Sequence, residues 1–101
     1  MTVTETLAEF AATLDQKIEG ALSCVGNPDA FLAANREIEE MMQQQWPAIA
    51  EILSASDLTA SDRAVLESMS KALAALEAQA RARLVWTSDF EDYMRDALTQ
   101  R

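Results

Sequence analysis

Few residues in this sequence are equipped for chemistry. Histidine is absent, which removes the side chain most often used near neutral pH as a general base and as a transition-metal ligand. The single thiol, Cys24, falls near the C-terminal end of an expected helix, where the dipole disfavours a thiolate and no imidazole is at hand to activate it. It reads as a buried or half-buried structural thiol. Glu37, Glu39 and Glu40 are close in sequence, but the Asp-x-Asp-x-Asp-Gly loop of a hard-cation site is missing, and helical di-metal chemistry usually needs Glu-x-x-His pairs. These carboxylates are expected to form a solvated acidic face. Gly20 and Gly26 are the only glycines, so there is no phosphate-cradling loop. No enzymatic activity, metal or cofactor is expected.

Charge narrows the partners. The chain holds 8 basic and 17 acidic residues, for a net charge of -9. Residues 1–58 carry most of this imbalance, with only Lys17 and Arg36 as basic residues. Such a field repels phosphate backbones and anionic lipid, so nucleic acid and membrane surfaces are not expected partners. Arg81, Arg83 and Arg95 are a conceivable basic strip, read here as an ordinary solvated helix face. No apolar run approaches the ~18 residues of a membrane span, and the first residues lack the basic and apolar regions of a secretory signal. With one cysteine and no possible intramolecular disulfide, the expected location is the cytoplasm.

The elements that must position any surface are helical. Glycine and proline number two each, and alanine, leucine and glutamate are the commonest residues, a composition of helix formers. Thr2 and Glu5 have capping-box spacing, and Leu7, Phe10, Leu14, Ile18, Leu22 and Val25 then form one stripe. Gly26 can take the left-handed conformation that closes a helix, Asn27 can cap the next one, and Pro28 suits its first position. Phe31, Asn35, Ile38, Met42, Gln45, Ile49 and Ile52 make a second seam, widened by Leu32, Met41, Trp46 and Leu53. Asn35 and Gln45 on that seam are read as register-setting polar residues. Pro47 lies inside the pattern and predicts a kink or short break near Gln45–Trp46.

Thr59 and Asp62 open the last segment with a shortened capping box. Leu66, Met69, Leu73, Leu76, Ala80, Arg83, Thr87, Phe90, Met94 and Ala97 follow at heptad-like spacing. The fold class read from this is all-α: a single domain over residues 1–101, an antiparallel three-helix bundle with helices at about 3–25, 28–53 and 60–99 and a long or split third helix. A straight helix over 60–99 is ~60 Å long against ~33–38 Å for the other two. Its end therefore either overhangs, bending gently at most, or breaks at Thr87-Ser88-Asp89, with Ser88 and Glu91 capping a short fourth helix. The overhang is preferred, because neither glycine nor proline stands there.

An overhang would expose Trp86, Phe90, Tyr93, Met94 and Leu98, an aromatic and methionine-rich face of the kind adaptable protein-binding surfaces use. The expected partner is another protein, through an amphipathic helix, or a second copy of the chain in a homodimer.

Ala21-Leu22 before a short turn, Asp29-Ala30-Phe31-Leu32 opening a helix around Arg36, and Leu58-Thr59-Ala60-Ser61-Asp62-Arg63-Ala64-Val65-Leu66 leading to Leu76-Glu77-Ala78-Gln79-Ala80-Arg81-Ala82-Arg83-Leu84 together resemble the small flagellar type III export chaperones. The resemblance covers nearly the whole chain in helix pattern and composition, with no diagnostic motif. It implies a bacterial cytoplasmic protein that holds the C-terminal amphipathic helix of an axial or filament-associated subunit before export. It further implies a grip at Leu73, Leu76 and Ala80, with Phe90 and Met94 as a possible cover. Pro47 and the aromatic-rich tail depart from that pattern. The other reading from the same residues is a self-associating structural or regulatory bundle with no client.

Overall fold

Three helices follow one another in the structure, a computed structural model that describes residues 2–83, 90, 93–95 and 97. They are α1 (Val3–Leu22), α2 (Pro28–Ser54) and α3 (Ala60–Ala82). Of the described residues 85% are helical and none is in a strand, so the chain is all-α.

Each helix starts on a side chain that satisfies otherwise orphaned amides. The Thr2 hydroxyl accepts from the Glu5 amide at 3.1 Å, and the Asn27 carbonyl oxygen accepts from the Ala30 amide at 3.2 Å, with Pro28 at the first helical position. At Thr59 and Asp62 a full capping box forms: Thr59 Oγ1 accepts from the Asp62 amide, and Asp62 Oδ2 from the Thr59 amide, both at 3.1 Å. Asp62 does more than cap. Its Oδ1 accepts from the Thr4 hydroxyl at 2.9 Å, which ties the start of α1 to the start of α3. At the other end Arg83 Nε donates to the Val25 carbonyl at 3.2 Å.

α1 closes earlier than its apolar stripe suggests. It stops at Leu22, where Ser23 Oγ donates to the Gly20 carbonyl at 2.7 Å and turn bonds run from Cys24 N to Ala21 O and from Asn27 N to Cys24 O. Gly26 does not adopt a left-handed φ. The exit is made of consecutive hydrogen-bonded turns instead, and Cys24 sits half-buried among them.

α2 passes Pro47 without a break. Pro47 removes the amide that would have bonded the Gln43 carbonyl. Gln43, Gln44, Gln45, Pro47 and Ala48 are all exposed, so the lost bond lies on a face that water can reach. The buried seam also shifts from the expected one. Gln45 and Ile52 face solvent, and burial passes from Met42 to Trp46, Ile49 and Leu53, because a 3.6-residue turn drifts from a strict heptad. Asn35 is buried, and its side-chain amide donates to the Phe31 carbonyl at 2.8 Å.

The main core draws Leu7, Phe10, Leu14 and Ile18 from α1, Phe31, Ile38, Met42 and Trp46 from α2, and Leu66, Met69, Leu73, Leu76 and Ala80 from α3. Phe10 and Trp46 meet with ring centroids 5.5 Å apart, tilted by 38°, an arrangement aromatic pairs favour. α1 packs against both α2 and α3, while no Cα of α2 comes within 8 Å of a Cα of α3. The side opposite α1 is therefore open between them.

The third helix is not the long rod expected over 60–99. It ends at Ala82 with Arg83 as its cap, and the described residues, which reach Ala97, extend over no more than 41 Å, too short for a straight ~60 Å helix.

Candidate protein-binding groove

Glu77 stands one turn after Leu73 and one turn before Ala80, inside the apolar stripe of α3, and it is 1% exposed. One of its carboxylate oxygens accepts the backbone amide of Phe90 at 2.5 Å. Along a straight helix those residues would lie ~20 Å apart, so the chain beyond α3 has turned back on itself. How it does so lies outside the described residues, as do the Thr87-Ser88-Asp89 break and the Ser88–Glu91 cap.

The returned segment is helical at Tyr93–Arg95 and Ala97, with Tyr93 and Met94 amides donating to the Phe90 carbonyl at 3.1 and 3.3 Å. Among its described residues Phe90 is 0% exposed, Met94 1% and Ala97 2%. All three belong to the cluster that contains Leu73, Leu76 and Ala80. Tyr93 is half-buried, its ring 6.5 Å from that of Phe90. From the other wall, Trp46 of α2 donates its indole N–H to the Tyr93 carbonyl at 3.0 Å. The segment thus bridges α2 and α3 on the side where their backbones stay apart.

This corrects the expected overhang. Phe90 and Met94 are not an exposed patch or a dimer face; they are buried within the same chain. The cause is the opening between α2 and α3, where apolar side chains leave water at ~25 cal/mol per Å² of buried surface. Leu73, Leu76 and Ala80 are buried in the same apolar cluster as Phe90 and Met94. Trp86 and Leu98 lie outside the described residues.

Among the described residues no group of three or more Cys, Asp or Glu side chains is placed to hold a metal ion, and Glu39 accepts instead from the Gln43 side chain at 3.0 Å. Arg81 reaches Glu77 at 3.4 Å, and Arg83 donates to the carbonyls of Val25 and Gln79, so these two arginines of the expected strip are engaged within the chain. A depression of about 250 Å³ lies between α1 and α3, lined mainly by Ala8, Ala11, Ala12, Val65 and Met69, below the ~300 Å³ at which ligand pockets begin. The Asp62 carboxyl is held below its ordinary value by the Thr59 backbone amide, against the opposing effect of burial and with help from the hydroxyls of Thr4 and Thr59. That is capping chemistry, not catalysis. No described helix is long and apolar enough to cross a membrane.

No protein-family model, curated protein or solved structure matches this chain. The function has to be argued from the groove.

Sequence reasoning missed Glu77 and Trp46 as site residues. Both carried a signal. A carboxylate at a stripe position needs a donor once buried, and a buried indole N–H needs an acceptor; together they mark a groove with one acceptor wall and one donor wall.

Proposed function

We propose that this protein binds an amphipathic helix of another protein in the groove between α2 and α3, acting as a chaperone or adaptor. The observation that carries the reading is the groove's present occupant. A partly helical piece of the chain buries Phe90, Met94 and Ala97 in the same apolar cluster as Leu73, Leu76 and Ala80, and a client helix with apolar residues at similar spacing has the chemistry to take its place. The five-residue connections at 23–27 and 55–59 support an antiparallel arrangement of the three helices, which makes α2 and α3 the two walls. On the flagellar resemblance, the client would be an axial or filament-associated subunit held in the cytoplasm before export.

The test compares the wild-type chain with a Phe90→Ser/Met94→Ser double variant as baits in the native cell extract. A client should be enriched on the variant, whose own segment docks poorly, and released by excess synthetic peptide of residues 84–101. Baits that capture the same proteins, or a captured protein that the peptide does not displace, would remove the reading.

A further inference from the structure

We propose that Glu77 is a positioning residue, a buried clamp that sets how readily the C-terminal segment leaves the groove. A carboxylate in an apolar stripe is costly to bury, and a leucine there would serve a plain core better. Glu77 is compensated in a specific way. One oxygen accepts the Phe90 amide and the other lies 3.4 Å from Arg81 Nη2. The Arg81 side chain is 63% exposed, so that pair is largely screened by water. The bond to Phe90 is enclosed and charge-assisted, the stronger class of hydrogen bond.

The clamp has a counterpart. Glu77 on α3 takes an N–H from Phe90, and Trp46 on α2 gives an N–H to the carbonyl of Tyr93. An acceptor on one wall and a donor on the other grip the backbone three residues apart and fix the register of the segment. The other buried polar side chains serve the three helices themselves: Asn35 donates to the Phe31 carbonyl of its own helix, and Asp62 caps α3 and binds Thr4 of α1. Because both groove contacts are to backbone, they hold the segment whatever its side chains are. The consequence for a client rests on the helix-binding reading above: the replacing helix must offer Glu77 an N–H in the same place. The clamp itself is a property of the free chain.

Amide hydrogen exchange by NMR on the full chain, as wild type, Glu77→Gln and Glu77→Ala, tests it. The probes are the Tyr93 and Met94 amides, which bond to the Phe90 carbonyl rather than to Glu77, and the Trp46 indole N–H. Glu77→Ala is expected to speed exchange at Tyr93 and Met94 by roughly 10- to 100-fold, the loss of one charged hydrogen bond. It should also move the Trp46 indole resonance toward its free position. Glu77→Gln, which keeps an acceptor, falls between. The amides of Leu14 and Ile38 stay as they are. Unchanged exchange at Tyr93 and Met94 in both variants overturns the clamp, and so does an equal acceleration at Leu14 and Ile38, which would make Glu77 an ordinary part of the global core. Either result stands whether or not a client is ever found.

Discussion

Replacing Phe90 and Met94 with alanine, singly and together, distinguishes a separable C-terminal segment from an integral part of the core. Phe90 is 0% exposed and Met94 1%, so each truncation removes fully buried surface. In an ordinary core the costs are ~3–5 kcal/mol for Phe→Ala and ~2–5 kcal/mol for Met→Ala. If those costs added, the double variant would lose ~5–10 kcal/mol, comparable to the ~5–15 kcal/mol stability of a domain of this size, and would be largely unfolded. The structure argues for a different outcome. Glu77 and Trp46 grip the described tail through its backbone, and residues of α1, α2 and α3 from Leu7 to Ala80 make up most of the apolar cluster that Phe90, Met94 and Ala97 join. Once the segment has detached, a further truncation within it costs nothing more in the folded state, so the loss levels off at the segment's docking free energy. The double variant should then cost little more than the worse single one and retain a cooperative transition with a smaller slope, since less surface remains to be exposed. Urea titration followed by far-ultraviolet circular dichroism measures both quantities. Additive losses, or a double variant with no transition at all, would refute the reasoning and make the segment inseparable from the fold.

Other expectations follow from the helix starts and the acidic surface. Asn27→Ala removes the acceptor of the Ala30 amide and should cost ~0.5–2 kcal/mol in denaturant titration. Asp62 joins the cap of α3 to Thr4 of α1, and its carboxyl is lowered chiefly by the Thr59 amide. The folded state therefore binds its proton less readily than the unfolded chain, so the stabilisation is present above the ordinary carboxylate range and is lost as pH falls from ~4 through the lowered folded value. Asp62→Asn should flatten that part of a stability–pH curve measured by thermal unfolding. Dialysis against a chelator should leave the thermal midpoint unchanged, since no ion is expected to favour the native state; a fall of several degrees would show that the carboxylates hold one.

The starts of all three helices were legible because capping is local chemistry. Thr2 with Glu5, Asn27 with Pro28, and Thr59 with Asp62 each announce a start within four residues. The α3 stripe of Leu66, Met69, Leu73, Leu76 and Ala80 is buried as its spacing predicts. What the local pattern could not convey was the end of α3. The heptad-like spacing continues through Phe90 and Met94 because a segment folded back onto a bundle needs an apolar face just as an extended helix does. Turns at Gly and Pro are easily read, and residues 84–97 contain neither. The decisive residue was Glu77, whose carboxylate interrupts an apolar stripe and finds its donor 13 positions later. Of the kink or short break expected near Pro47, the break does not occur: the face it occupies is exposed, and the helix continues. Leu73, Leu76 and Ala80 are buried, and so are Phe90 and Met94, for which an overhang predicted exposure.

Whether the groove accepts a helix from outside the chain is measured most directly with its own occupant supplied in trans. A fluorescently labelled peptide of residues 84–101 is titrated by anisotropy against the wild-type chain and against Phe90→Ser/Met94→Ser. In the wild type the tethered segment competes at an effective concentration on the order of millimolar. In the double variant that competitor is weakened. The account predicts saturable binding to the variant, at least ~10-fold tighter than to the wild type. Equal affinity for both chains, or no binding to the variant up to about millimolar concentration, would contradict it.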